Sequence, residues 1–327
     1  MITLAHGAGG RLTRRLVEER FLPRLGNAAL DAMGDSAIVG DLAITTDSYV
    51  VAPRFFPGGD IGRLAVCGTV NDLVVAGAEP IALTAGFVLE EGLALDELER
   101  VVESMAAAAG EAGVKIVAGD TKVVQRGACD GLFVNTSGVG RVSRGFAPAP
   151  DGARAGDAVL LSGTIADHGM AVLACREGLP LEGDLASDVA PLGGLVRALR
   201  EAGVDVHAMR DPTRGGLAGA LIELAQAAGV RAVVEERAIP LRGSVRAACE
   251  LTGIDPLHVA NEGKLVAIVP GDQAETALEA LRADPLGEDA AIVGRIEEGD
   301  PGLELLTALG GRRGVQMPLG EILPRIC

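Results

Sequence analysis

Nearly half of this 327-residue chain is apolar, yet it has only six Phe, one Tyr and no Trp. Its core must therefore be assembled from Ala, Val, Leu and Ile at close quarters, with 46 glycines letting elements approach one another. That apolar content excludes a disordered chain. The scarcity of aromatics removes the stacking surfaces on which a single-strand nucleic-acid platform relies. Charge argues the same way. Lys and Arg total 29 against 45 Asp and Glu, a formal charge of −16, which repels nucleic acid and anionic membranes alike. The length suits two domains of ordinary size.

The five cysteines (Cys67, Cys129, Cys175, Cys249 and Cys327) are odd in number and contain no Cys-x-x-Cys pair. A zinc ribbon or a disulfide framework is not expected, and a reducing compartment is. The first residues lack the order of a signal peptide, and no apolar run approaches the roughly 20 residues that span a bilayer. The expectation is a soluble, acidic, cytoplasmic protein.

Along the chain, Asp60 reads as the N-cap of a small-residue helix running to about Val75, with Gly77 ending it. Ile81–Leu89 reads as a strand, Leu95–Ala112 as an Ala-rich helix, and Val114–Ala118 and Leu132–Val139 as further strands. A Pro, Gly and Ala-rich break at Gly145–Asp157 marks a boundary. Beyond it come helices near Gly169–Arg176, Leu192–Ala202 and Arg214–Ala228, with strands at Ala158–Ser162, Ala232–Glu235, Lys264–Val269 and Ala290–Ile296. The pattern lacks a strict β-α-β rhythm and predicts an α+β fold in two mixed domains, 1–146 and 147–314. Residues 315–327, with two prolines and a glycine, predict a mobile tail.

Carboxylates recur at turns or element ends: Asp35 after Gly34, Asp47 between Thr46 and Ser48, Asp72 after Asn71, Asp120 after Gly119 and Asp211 after Arg210. Turns and N-caps favour Asp on their own account. Five such sites also suit a hard divalent cation holding a polyphosphate. Gly7-Ala8-Gly9-Gly10 and Arg214-Gly215-Gly216 each lead into a helix, where backbone N–H groups can meet phosphate, although neither matches a P-loop. Asp120-Thr121-Lys122 and Asn261-Glu262-Gly263-Lys264 pair charges, either as surface ion pairs or as a phosphate-screening Lys and a proton-accepting Glu. His6 and His168 lie in Gly-rich loops without partners at metal-ligand spacing. Cys327 ends the tail, and ten residues from Pro318 can reach about 30 Å when extended.

These segments resemble the HypE family of carbamoyl dehydratases. The likeness rests on the run from Asp47 to Gly62, on Gly68-Thr-Val-Asn-Asp72 and on Gly119-Asp-Thr-Lys122. It continues through Asp211-Pro-Thr-Arg-Gly-Gly-Leu, Asn261-Glu-Gly-Lys264 and the ending Pro324-Arg-Ile-Cys327. That family is similar to the wider group of aminoimidazole ribonucleotide synthetase and selenophosphate synthetase. The resemblance implies that group's two-domain fold, a homodimer formed through the N-terminal domains, and use of ATP with Mg²⁺. It also implies a carbamoyl group received on the Cys327 thiol from HypF, dehydrated to a thiocyanate, and passed as cyanide to the HypC–HypD complex for the iron of [NiFe]-hydrogenase. Asp35, Asp47, Asp72 and Asp211 would hold Mg²⁺. Gly9, Gly10, Asn71, Asp120, Thr121, Gly216 and Asn261 would bind the nucleotide. Glu262 would remove the N–H proton, with Lys122 balancing charge. The first loop, His6-Gly-Ala-Gly-Gly10, differs where the family commonly has Ser, and its lack of Cys argues against selenophosphate synthesis. The remaining cysteines read as structural. Two other readings stay open: an ATP-using synthetase or kinase of the same superfamily acting on a free small molecule, and a non-catalytic thiol carrier.

Overall fold

The computed structural model describes residues 1–7, 9–179, 185–318, 323 and 325–327. Two short helices, α1 (Arg11–Leu16) and α2 (Leu22–Leu25), precede β1 (Ala37–Val39) and β2 (Leu42–Tyr49). A small ribbon, β3 (Phe55–Phe56) and β4 (Gly59–Asp60), opens into α3 (Ile61–Val75), followed by β5 (Ala78–Glu90), α4 (Leu95–Glu111), β6 (Ile116–Val124) and β7 (Leu132–Val142). These strands form a five-stranded sheet in the order β1-β2-β7-β5-β6, antiparallel except for the β5–β6 pair.

The second half runs β8 (Asp157–Leu161), α5 (Asp167–Glu177), α6 (Gly193–Glu201), β9 (Ala208–Arg210), α7 (Gly216–Ala228) and β10 (Arg231–Glu235). It continues with α8 (Gly243–Thr252), β11 (Val266–Pro270), α9 (Ala274–Arg282), β12 (Ala291–Glu297), β13 (Gly302–Leu306) and β14 (Arg312–Val315). Its seven-stranded sheet has the order β14-β13-β10-β12-β8-β11-β9. The α+β expectation holds, and both halves alternate helices and strands without a doubly wound order.

Helix α3 joins the two halves. The Asp60 carboxylate caps it by accepting from Gly62 N (2.7 Å) and Arg63 N (3.1 Å), as the sequence predicts. Thirteen of its fifteen residues are buried, so it is apolar all round rather than amphipathic. It packs on α4, β2, β5 and β7 on one side and on α6 and β9 on the other. Small residues make this possible. A Cβ on Gly62 would stand 2.4 Å from the Val101 carbonyl of α4, and one on Gly68 would stand 2.2 Å from Tyr49 Oη. One apolar cluster runs from Leu64 and Val70 through Leu192 and Leu195 to Leu281, crossing between the sheets. Gly62→Ala is therefore expected to cost about 1–3 kcal/mol through overpacking against backbone, read as a lower urea midpoint.

Candidate active site

Three separate stretches of chain deliver carboxylates to one place. Asp72 comes from the last turns of α3, Asp35 from the segment before β1, and Asp211 from the end of β9. Each offers an oxygen within 4.8 Å of the others. Asp47, on β2, lies outside that trio, but its charge reaches Asp72 and Asp211. Burial raises the pKa of all four, and repulsion from the other acids adds to this at Asp47, Asp72 and Asp211. Asp211 is pushed up to about 8, by burial and then by Asp35, and Asp72 is raised well above its ordinary range by burial and then by Asp211. Asp35 is held by Arg210 at 2.8 Å, whose other nitrogen binds Glu223 at 2.6 Å. Asp72 Oδ2 accepts from Thr45 (2.7 Å), and Asp47 Oδ2 accepts from the buried Tyr49 hydroxyl (3.2 Å). A set of hard oxygen donors whose ionisation is suppressed until positive charge arrives fits a divalent cation such as Mg²⁺.

The loop at 259–264 closes another side. Asn261 is fully buried: its Oδ1 accepts from Ala166 N (2.7 Å), and its Nδ2 donates to Pro212 O (2.8 Å) and Val259 O (3.2 Å). Ala166 has φ +72°, an uncommon conformation for a residue with a Cβ, and that bond helps to hold it. Asn71 of α3 donates to Ala190 O (3.0 Å) and Glu262 O (3.4 Å) and accepts from Leu192 N (2.9 Å). Of the two amides expected at the nucleotide, Asn71 thus ties the two halves together, and Asn261 ties three segments of the second half. Glu262 is 3% exposed, and its Oε1 has no hydrogen-bond partner among the described residues. Burial, then Asp211 and Asp188, raise its pKa well above the ordinary carboxylate value.

The two Gly-rich loops meet. Arg214 Nη1 donates to Gly7 O (2.9 Å), and Gly9, at φ +73°, approaches so closely that a Cβ there would lie 2.7 Å from Arg214 Cβ. Ala8 lies outside the described residues. Gly216 (φ +63°) opens α7 and Gly10 precedes α1, each without a side-chain cap, while the N–H groups of Gly216, Gly9 and Arg11 donate to Thr213 O (2.9 Å), Thr13 Oγ1 (2.9 Å) and Pro318 O (3.2 Å). Arg214, unassigned from the sequence although it sits in the quoted Asp211-Pro-Thr-Arg run, faces the negative charges of Cys327, Asp47 and Glu262, which raise its pKa.

Three of the expected residues lie apart from this cluster within one chain. Asp120, Thr121 and Lys122 lie on β6, the exposed edge of the first sheet, where Lys122 Nζ pairs with Asp120 at 2.7 Å. Asp47 aligns with Thr136, Ala85 and Gly119 across four strands, whereas Asp120 and Lys122 stand opposite Gly86 and Val88. They therefore project from the other face of the sheet, on a strand about 14 Å away. Within one chain, Lys122 is not beside Glu262. Of the expected tail, Leu319, Gly320, Glu321, Ile322 and Pro324 lie outside the described residues, and the last residues rest against the body of the protein. Leu323 and Ile326 are buried, Val50 N donates to Cys327 O (3.1 Å), and Ala52 N donates to Arg325 O (3.2 Å). Arg325 donates to Val50 O (2.9 Å) and Asp130 (2.6 Å), and His168 Nε2 donates to Ile326 O (2.8 Å). Of the cysteines read as structural, Cys67 and Cys249 are buried, Cys129 is half-buried and Cys175 is exposed.

The profile described as AIR synthase related protein, N-terminal domain, matches residues 33–142, and its C-terminal counterpart matches 154–305. The carbamoyl dehydratase HypE of Azotobacter vinelandii is 52% identical, covering all of this chain and 97% of that protein. That of Escherichia coli K12 is 47% identical, covering all of this chain and 99% of its own length. The chain belongs to the HypE family of carbamoyl dehydratases. A crystal structure of a HypE–HypF complex superposes with a TM-score of 0.89 at 48% identity, covering 93% of this chain and 99% of the other. HypE in complex with ATP superposes at 0.85 and 50% identity, covering 99% and 100%. A thiamine monophosphate kinase from Aquifex aeolicus, at 21% identity and a TM-score of 0.70 over 94% and 99%, shares the fold. No helix among the described residues is long and apolar enough to cross a membrane.

The acid cluster has a consequence for stability. Asp211 binds its proton more tightly when folded, so its contribution is complete below 3.8 and lost as pH rises through about 8. The metal-free protein is expected to lose thermal stability across that window. Mg²⁺ should remove the slope and Asp211→Asn should flatten it, as followed by melting at constant ionic strength.

Proposed function

We propose that this HypE family member dehydrates a carbamoyl group carried on its own Cys327 thiol, using ATP, and so supplies cyanide for the iron of [NiFe]-hydrogenase. The observation that carries the reading is the seating of the tail. Hydrogen bonds to the carbonyls on both sides of Cys327 fix it to Val50 and His168, beside the Arg214 guanidinium and just past the end of the strand that bears Asp47. A mere carrier would have no use for the acid cluster. ATP use is supported by the ATP complex of a 50% identical HypE, and HypF as carbamoyl donor by the HypE–HypF complex. HypC–HypD as cyanide acceptor and a cytoplasmic location complete the proposal.

The amide oxygen is a poor leaving group, and phosphoryl transfer makes it phosphate. Loss of that phosphate and of both N–H protons leaves S–C≡N. The sum is S-carboxamide plus ATP giving thiocyanate, ADP, phosphate and one proton. Glu262, made a stronger base by its burial and the neighbouring acids, takes an N–H proton. Arg214 holds positive charge at the sulfur end. The uncapped starts of α1 and α7 would turn their positive ends to the phosphates, and Gly9, Gly10 and Gly216, lacking side chains, would let them approach. Asp35, Asp72 and Asp211, with Asp47 beside them, would hold Mg²⁺, which when bound offsets phosphate charge.

A homodimer would bring in the residues that lie apart. The first sheet leaves β6 as an unpaired edge with Val117 64% and Val123 68% exposed, and its outer face exposes Ile44 and Val88. Such an edge calls for a partner. Across it, Asp120, Thr121 and Lys122 of one subunit would serve the nucleotide site of the other. Replacing Val117 and Val123 by Glu is expected to yield monomers by light scattering, with dehydration lost; a dimer of unchanged mass would refute this arrangement.

Intact mass after incubation with ATP, carbamoyl phosphate and HypF tests the chemistry. The chain should gain a carbamoyl group and then lose water. Cys327→Ala should gain nothing, and Glu262→Gln should load but not dehydrate, at least a hundredfold more slowly, in line with loss of a general base.

A further inference from the structure

We infer that His168 is a positioning residue for the reaction: its neutral ring clamps the tail through the Ile326 carbonyl and thereby sets where the Cys327 sulfur stands relative to Glu262. This rests on Cys327 being the carrier, but the clamp itself can be tested without that premise.

The geometry leaves one arrangement of hydrogens. His168, the second residue of α5, is fully buried. Its Nε2 lies 2.8 Å from Ile326 O, and a carbonyl only accepts, so Nε2 carries the hydrogen. Nδ1 then has a lone pair, which takes the Ser187 hydroxyl hydrogen at 2.8 Å, while Ser187 Oγ accepts from Val189 N at 3.1 Å. The Phe56 ring stands edge-on to the imidazole, with centroids 5.4 Å apart and an interplanar angle of 86°. Burial favours the neutral ring.

The same short segment that fixes the ring also fixes the base. Asp188, next to Ser187, accepts from the Glu262 backbone N–H at 3.1 Å. The two segments touch so closely that a Cβ on Gly263 would come within 1.7 Å of Asp188 O. On the other flank, Asn261 Oδ1 holds Ala166 N, two residues before His168. Tail and carboxyl are therefore registered against one strut, Ser187-Asp188, rather than independently. The Cys327 residue is pinned from both sides, with the preceding carbonyl on His168 and its own carbonyl on Val50 N.

The test uses the full chain and iodoacetamide, with alkylation of Cys327 read from the mass of the tail peptide and exposed Cys175 as the internal reference. His168→Leu should raise the Cys327 rate about tenfold relative to Cys175, the population change expected when one buried hydrogen bond is lost. His168→Gln, which keeps a donor near the Nε2 position, should return it toward the parent. Ser187→Ala should fall between them and serves if the Leu protein does not fold. Equal Cys327 rates in the parent and in the folded Leu or Ala variants would overturn the clamp, as would Gln behaving like Leu. With carbamoyl-loaded protein at saturating ATP, the Leu variant should dehydrate more slowly at unchanged KM for ATP, with rescue by Gln; equal rates overturn the positioning role. If the parent itself never dehydrates, the functional reading falls while the alkylation result still decides the clamp.

Discussion

Several carboxylates crowded into one half-dry space repel each other, and folding must answer that repulsion with protons or with positive charge. Here the answer is divided. Arg210 is bound to Asp35, Arg214 faces Asp47 and Glu262, and the remaining demand appears as raised pKa values at Asp72 and Asp211. Because these acids come from β2, α3 and the end of β9, the site exists only when the two sheets are closed on one another. The electrostatic cost of assembling it is what a cation and a polyphosphate jointly relieve.

The frame that bears this cost is α3, buried all round and flanked by helices and strands of both halves. Its small residues answer to the scarcity of aromatics: with little bulk to fill space, backbone meets backbone, as at Gly62 and the Val101 carbonyl. Asn71 adds a polar tie from the same helix to Ala190, Leu192 and Glu262. Packing and hydrogen bonding therefore hold the halves in register where the acids converge.

How much of this could be read from the residues follows the range of each signal. The Asp60 cap, α3 and most strands announce themselves locally. Helices α8 and α9 escape a pattern reading because they start without a capping side chain and mix polar with apolar residues. The convergence of Asp35, Asp72 and Asp211 was suggested by residue type and by family likeness, not by spacing. Which face of the sheet carries Lys122 depends on strand register, which no short motif encodes. Arg214 and His168 were in view within their motifs, but their roles come from what the tail does when it returns. Two prolines and a glycine make a poor helix, yet they do not prevent the chain end, turning at Arg325 (φ +52°), from offering its carbonyls to Val50 and Ala52.

That pairing makes the chain end a ruler. The Cys327 carbonyl meets Val50 N and the Arg325 carbonyl meets Ala52 N, with Arg325 at φ +52°, so the chain end turns rather than running on as a strand. Removing or adding one residue upstream would offer these amides a different pair of carbonyls and move the sulfur. The number of residues in the arm then bears on where the sulfur stands as directly as the identity of Cys327 bears on what it can do.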